Sequence, residues 1–307
     1  MTPTYSIIIP HKDIPDLLQR CLDSIPVRDD IEIIVVDDNS DPRKVDFSNF
    51  PKWQGNRYEY YFTKEGKGAG YARNVGLDHA KGRWFIFADA DDFFAEDFSD
   101  LLDDVADADE DIVLFDYVNV RSDDVTQLAT ERNRYKSFIS DYLDGDPSET
   151  NLRIFFFVPW CKLVKRELIE RHRLRFDEVK WNNDMCFCVK TGCLAKTIAV
   201  RRITAYVVTL REGSLTYDLC ATDEELEVRL TESIKTEKWL KQQKINAGRS
   251  LTSSYLWVYY ERVGFWGCTK FCLQRLSNWN VSKTMSVFLL KRIVKKLLPT
   301  SCNSRNS

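Results

Sequence analysis

The sequence contains no apolar run of 18 residues, so no transmembrane helix is expected in its 307 residues. Its N-terminus lacks a basic segment followed by a long apolar stretch and a small-residue cleavage site, which argues against a signal peptide. Nine cysteines are present, without the even, regular spacing of a disulfide framework. Cys186, Cys188 and Cys193 form a local cluster, but their spacing matches no paired C-x-x-C zinc site. Reduced, mostly buried thiols in a cytosolic protein are the expectation. No Gly-x-Gly-x-x-Gly follows the first strand-like segment, which excludes the dinucleotide fingerprint; Gly66, Gly68 and Gly70 come too late and suit a lid or a turn. Acid is missing altogether after Glu261, although Arg262, Lys270, Arg275, Lys283, Lys291, Arg292, Lys295, Lys296 and Arg305 follow. The net charge of −3 therefore hides a basic tail suited to an anionic surface. Those basic residues lie in an apolar-rich tail and not in a groove-like patch, so nucleic-acid binding is not expected.

What is present is an ordinary globular composition, 44% hydrophobic and 30% charged, long enough for one large or two modest domains. The most telling stretch is Arg83-Trp84-Phe85-Ile86-Phe87-Ala88-Asp89-Ala90-Asp91-Asp92. An apolar, aromatic and β-branched run of this kind suits a central strand covered on both faces. It runs into three carboxylates within four positions. Such a cluster is costly unless a cation or ligand hydroxyls share the charge. A hard divalent ion with oxygen ligands, bringing phosphate oxygens with it, is the natural partner; an acidic loop capping the helix near Ala95 is the plainer alternative.

The same pattern recurs along the chain. Tyr5 to Ile9 reads as a buried strand stopped by Pro10, with His11-Lys12-Asp13 as a loop. Leu17, Leu18, Cys21, Leu22 and Ile25 have helical spacing. Glu32 to Val36 is a second strand, and it too ends in acid, Asp37-Asp38. Tyr58 to Phe62 is a third, a helix holds Ala72 to Leu77, and Asp111 to Phe115 is a further strand. This alternation predicts βαβ units and a parallel sheet. It places carboxylates of two strand ends on the edge where open α/β sheets bind ligands.

At this point several segments converge. Tyr5 to Asp13, Ile33 to Ser40, Gly70-Tyr71-Ala72-Arg73-Asn74-Val75-Gly76 and Phe87 to Asp92 closely resemble the family 2 glycosyltransferases, as do Trp160 to Ile169, Asn183-Asp184-x-x-Phe187 and Arg211-x-Gly213-Ser214. The resemblance implies an α/β, GT-A fold: a Rossmann-like, mostly parallel central sheet flanked by helices, here with a helical C-terminal extension. It implies an inverting transferase using a nucleotide-diphosphate sugar, most often UDP-linked, with Mg²⁺ or Mn²⁺, and a glycan or lipid-linked acceptor in surface-polysaccharide synthesis. By that resemblance Pro10, His11, Asp13, Asp38, Arg73, Asp89, Asp91, Arg211 and Ser214 form the nucleotide-sugar site. His11 would lie against the base, Asp38 would hold it, Asp91 and Asp92 would take the metal, and Asp184 would be the catalytic base. Trp160 and Asn183 fall on the acceptor side. The sequence departs from the family in two places: Asn183 stands where Glu is usual, and Cys161 where Asn is usual after the Trp.

The residues carry plainer readings too. Asp184 could cap a helix, Arg211 and Ser214 could belong to a turn after a strand at Tyr206 to Val208, and Trp160 could pack in the core instead of stacking on a sugar. A nucleotidyltransferase is disfavoured because Pro10-His11-Lys12 is no glycine-rich phosphate loop; a silent scaffold that kept the fold stays open. Residues 1–217 are expected to be the catalytic domain and 218–307 a helical region. Within the latter, Thr222 starts a helix with Leu226, Leu230, Ile234 and Leu240 on one side. Lys283 to Leu298 draws as a helix with Leu289, Leu290, Ile293, Val294 and Leu297 opposite Lys291, Arg292, Lys295 and Lys296. That pattern suits a helix lying in an anionic membrane interface, hence a cytoplasmic protein peripheral on the inner face; docking on the catalytic domain is the alternative.

Overall fold

The computed structural model describes residues 2–129, 134–146, 148–211 and 222–275. The chain divides into two compact units, residues 1–219 and 220–307.

The first unit is built on an eight-stranded sheet in the order β3-β2-β1-β4-β7-β6-β8-β5. The strands are β1 (Tyr5–His11), β2 (Ile31–Asp37), β3 (Tyr58–Phe62), β4 (Trp84–Phe87), β5 (Phe93–Phe94), β6 (Ile112–Arg121), β7 (Lys162–Lys165) and β8 (Ile198–Leu210). The helices are α1 (Pro15–Asp23), α2 (Ala69–His79), α3 (Phe98–Val105), α4 (Arg134–Leu143), α5 (Arg166–His172) and α6 (Met185–Leu194). β1 to β4 pair in parallel, and β6 pairs in parallel with β8. β1, β2 and β4 are buried along their whole length, as their unbroken apolar runs require. Helix α2 packs closely on β1: a Cβ at Gly76 would stand 2.4 Å from Ile8 Cγ2.

One expectation holds and another needs correction. First, the sheet is mostly parallel, as expected, with β7 running antiparallel between β4 and β6 and β5 antiparallel to β8. Nothing in a four-residue strand shows its direction; only the connection does. Second, Pro10 does not stop β1, which continues to His11 opposite Asp37. In β1, Ile8 accepts from Ala88 on the β4 side and His11 from Asp38 on the β2 side. Pro10, in step with Ile8, would point its missing N–H past the end of β4, where no ladder bond is lost.

The second unit, as described, is α7 (Asp223–Gln242) and α8 (Ser253–Arg275), the latter bent where Gly264 adopts φ +69°. Thr222 caps α7 by accepting from Glu225 N at 3.1 Å. Leu226, Leu230 and Ile234 of α7 form a core with Leu256, Tyr259, Cys268 and Phe271 of α8. The basic segment Lys283 to Leu298 lies outside the described residues, and none of the described helices is long and apolar enough to cross a membrane.

Candidate active site

The carboxyl ends of β1, β2 and β4 deliver two groups of residues to one edge, and α2 with the segment before α6 supplies a third. At the first, His11 Nδ1 and Asp37 Oδ2 lie 2.8 Å apart, both buried. His11 Nε2 accepts from Ile14 N at 3.2 Å, which makes Nδ1 the donor to Asp37. Asp37 also accepts from Ser40 N at 2.9 Å and Ser40 Oγ at 2.6 Å. Burial opposes ionisation of Asp37, but these bonds from His11 and Ser40 hold its carboxyl below the usual carboxylate range. His11 is therefore committed to a turn, with Phe50 edge-on at 5.5 Å, and presents no exposed ring to a base. Asp13, in the left-handed region at φ +62°, clasps the neighbouring loop: it receives Asp41 N at 2.7 Å and Lys44 Nζ at 3.1 Å.

Asp38 is different. Its Oδ2 accepts from Gly68 N at 2.8 Å, with Lys12 Nζ at 3.7 Å. Its Oδ1 is buried and has no hydrogen-bond partner. A buried carboxylate oxygen without a donor costs stability, so this oxygen is a strong acceptor with open capacity.

After β4 the chain turns through Asp89, Asp91 and Asp92. Asp92 N bonds back to Asp89 O at 3.0 Å. The side chains of Asp89 and Asp91 are 33% and 23% exposed. Asp92 is only 3% exposed; it accepts from Thr209 N at 2.7 Å and is hydrogen-bonded by Tyr206. This corrects the expectation that Asp92 shares a metal: its carboxylate is turned into β8. Asp91 faces Arg211, whose Nη2 is 3.5 Å from its Oδ2. Burial and then the charge of Asp89 push the Asp91 carboxyl up, while Arg211 draws it down. Ser214 lies outside the described residues.

The third group joins α2 to the segment before α6. Arg73, nearly buried, donates from Nη2 to Asp89 Oδ1 at 2.6 Å and from Nη1 to Asn183 Oδ1 at 2.9 Å. Asn74 exchanges two bonds with the Phe176 backbone, at 3.0 and 2.8 Å. Gly70 allows this approach, since a Cβ there would stand 2.1 Å from Asp177 O. Asn183 thus keeps the bond to Arg73 that a Glu would make, without its charge, and it is buried rather than open to an acceptor. Asp184 sits at the N-cap of α6, yet its side chain makes no capping hydrogen bond, so the capping alternative fails. It lies in the field of Lys162, a buried ammonium that donates to Phe156 O at 2.5 Å.

Trp160 belongs to the core. It is 9% exposed and stacks on Tyr206 at 5.9 Å and 11°, with Tyr117 edge-on at 4.9 Å. Tyr206 in turn accepts from Asp89 N at 2.9 Å, so Trp160 supports the acidic turn from below. Cys161 adopts φ +58°, a conformation Asn tolerates better than most residues. Its departure from the family thus falls at a left-handed backbone position. The sequence reading missed Asp37, Tyr206, Thr209 and Lys162. Only Asp37 left a signal, as the first acid of the pair Asp37-Asp38 that ends a strand.

The family model for glycosyl transferase family 2 matches residues 6–173. The chain belongs to glycosyltransferase family 2. Among its relatives is the protein named "Putative glycosyltransferase EpsH" of Bacillus subtilis, 26% identical over 67% of this chain and 60% of that protein. Another is the glycosyltransferase GlyG of Streptococcus pneumoniae, 26% identical over 70% of this chain and 73% of that protein. The chain thus spans less than two thirds of EpsH. Among solved structures, S. aureus TarS with UDP-GlcNAc superposes with a TM-score of 0.56 at 20% identity, covering 84% of this chain and 71% of that one. The mannosyltransferase PcManGT of Pyrobaculum calidifontis, with GDP-Man and Mn²⁺, gives 0.51 at 18% identity over 98% and 89%. The fold of this family 2 chain is accordingly GT-A.

Proposed function

We propose that this family 2 chain moves a sugar from a UDP-sugar to a hydroxyl of a glycan or lipid-linked acceptor in surface-polysaccharide synthesis, with inversion at the anomeric carbon. The observation that carries the donor reading is the open Oδ1 of Asp38. Oδ2 of that carboxylate already accepts from Gly68 N, which leaves Oδ1 as the buried oxygen without a partner. Uracil offers a single ring N–H flanked by carbonyls. Guanine offers two adjacent donors, which call for both oxygens.

Among the described residues no three His, Cys, Asp or Glu side chains cluster tightly enough to hold a metal alone. The partly exposed carboxylates of Asp91 and Asp89 nonetheless suit Mg²⁺ or Mn²⁺, which commonly takes one or two carboxylates plus substrate phosphates. When bound there, the ion would supply Lewis-acid stabilisation of the diphosphate leaving group. Arg73 and Arg211 stand within reach of the same carboxylates and add donors toward the diphosphate. Asp184 accepts the proton of the acceptor hydroxyl as its oxygen attacks the anomeric carbon and the nucleoside diphosphate leaves. A single displacement of this kind inverts that carbon. Residues 1–217 would carry this chemistry. The region 218–307 would bring the protein to the inner face of the membrane through its basic, aromatic-rich sequence.

Calorimetric titration of UDP and GDP, with and without Mn²⁺, tests the reading. UDP is expected to bind more tightly than GDP and to need the metal. Asp38→Ala is expected to weaken UDP about tenfold, the equivalent of one hydrogen bond to a charged group. Folded wild-type protein that takes up neither nucleotide in the presence of Mn²⁺ would sink it.

A further inference from the structure

The acidic turn is held by an arginine that none of the family motifs contains. Arg20, in the last turn of α1, donates from Nη2 to Asp91 O at 2.5 Å and from Nη1 to Ser122 O at 3.4 Å. Nη2 also lies 3.5 Å from Thr209 Oγ1, which itself donates to Asp91 O at 2.5 Å. The guanidinium sits over Phe93, 5.2 Å from the ring centre, and its Nε is buried without a partner. One side chain therefore ties α1, the acidic turn and the tips of β6 and β8 together. A planar fork can do this; a lysine ammonium has no such geometry.

We infer that Arg20 is a positioning residue for the divalent cation, an inference that rests on the donor-site reading above. Its contact with Asp91 is to the main-chain carbonyl, so the carboxylate is left for the ligand. Arg211 is the opposite case, since it pairs with the carboxylate itself. An ion taking that carboxylate competes with Arg211 but leaves the Arg20 bond intact. Arg20 therefore fixes the direction of the Asp91 side chain both before and after the ion enters.

The test uses the full chain, with Mn²⁺ followed by electron paramagnetic resonance in saturating UDP, and uridine binding as a metal-independent reference. Arg20→Met is expected to weaken Mn²⁺ uptake on the order of 10–100-fold, the range for residues that orient metal ligands. Arg20→Gln, which keeps one donor, recovers part of the loss, and uridine affinity stays within about twofold of wild type in both. Wild-type Mn²⁺ affinity in folded Arg20→Met, or in Arg20→Gln should the first variant not fold, overturns the role of Arg20 and leaves the donor site standing. An equal loss of uridine binding overturns it as well, since the effect would then be general damage. Wild-type protein that takes up no Mn²⁺ with UDP overturns both readings.

Discussion

At the end of β2 and in the turn after β4, neighbouring aspartates divide in the same way. One of each pair has its hydrogen bonds completed inside the protein, and the other keeps capacity. Asp37 is filled by His11 and Ser40, while Asp38 holds an oxygen open. Asp92 is filled by Thr209 and Tyr206, while Asp91 stays partly exposed beside Arg211. The pairs differ in where their support comes from. Ser40 lies three residues from Asp37, whereas Thr209 lies 117 residues from Asp92. Two adjacent carboxylates at a strand end are thus a division of labour: one builds the turn that aims the other.

The largest test of this division is at the second pair. Asp91→Asn should lower sugar transfer roughly a thousandfold, the rate equivalent of several kcal/mol of charge stabilisation. Asp92→Asn, which keeps an oxygen for Thr209 N–H, should lower it less than about tenfold. Equal losses in a donor-turnover assay would break the comparison. At the first pair the effects should separate by kind. Asp37→Asn removes charge-assisted bonds inside the protein and should cost about 1.5–3 kcal/mol in urea unfolding. Asp38→Asn should leave stability nearly unchanged and weaken UDP in calorimetry about tenfold.

The first pair also predicts a pH dependence. The folded pKa of Asp37 is depressed. Its contribution is therefore complete above the unfolded value of about 3.9 and fades as pH falls through the lower folded value. The stability gap between wild type and Asp37→Asn should accordingly narrow below about pH 4, as read from unfolding midpoints. A gap that widens in acid would reverse the sign of the argument. The smallest effect is expected outside both pairs. Cys161→Asn relieves a left-handed backbone and should raise stability by up to about 1 kcal/mol, with transfer unchanged.

The two pairs also show what can be read from sequence. β1, β2 and β4 were legible because buried parallel strands need unbroken apolar runs, and the acids after them marked the edge. The roles within each pair were not, because Asp37 and Asp38 differ only in which way a turn points them. Asp92 resembled a ligand until Thr209 and Tyr206 appeared beside it, and no local pattern announces a partner more than a hundred residues away. Trp160 left sugar stacking and core packing equally open for the same reason: its stacking partner, Tyr206, lies on a distant strand. β7 hid its direction, since four residues between β4 and β6 read the same both ways.

The distant support of the acidic turn has a consequence for how the protein is made. At about 5–20 residues per second, the ribosome needs roughly 6 to 23 seconds to go from Asp92 to Thr209, 117 residues later. Throughout that interval three negative charges within four positions have been synthesised without the strand that buries one of them. β4 likewise waits for β7 to cover its open side. The nascent chain therefore exposes an unfinished sheet edge and a self-repelling turn together. The acidic turn is thus completed only once β8, the last strand of the sheet, has been made.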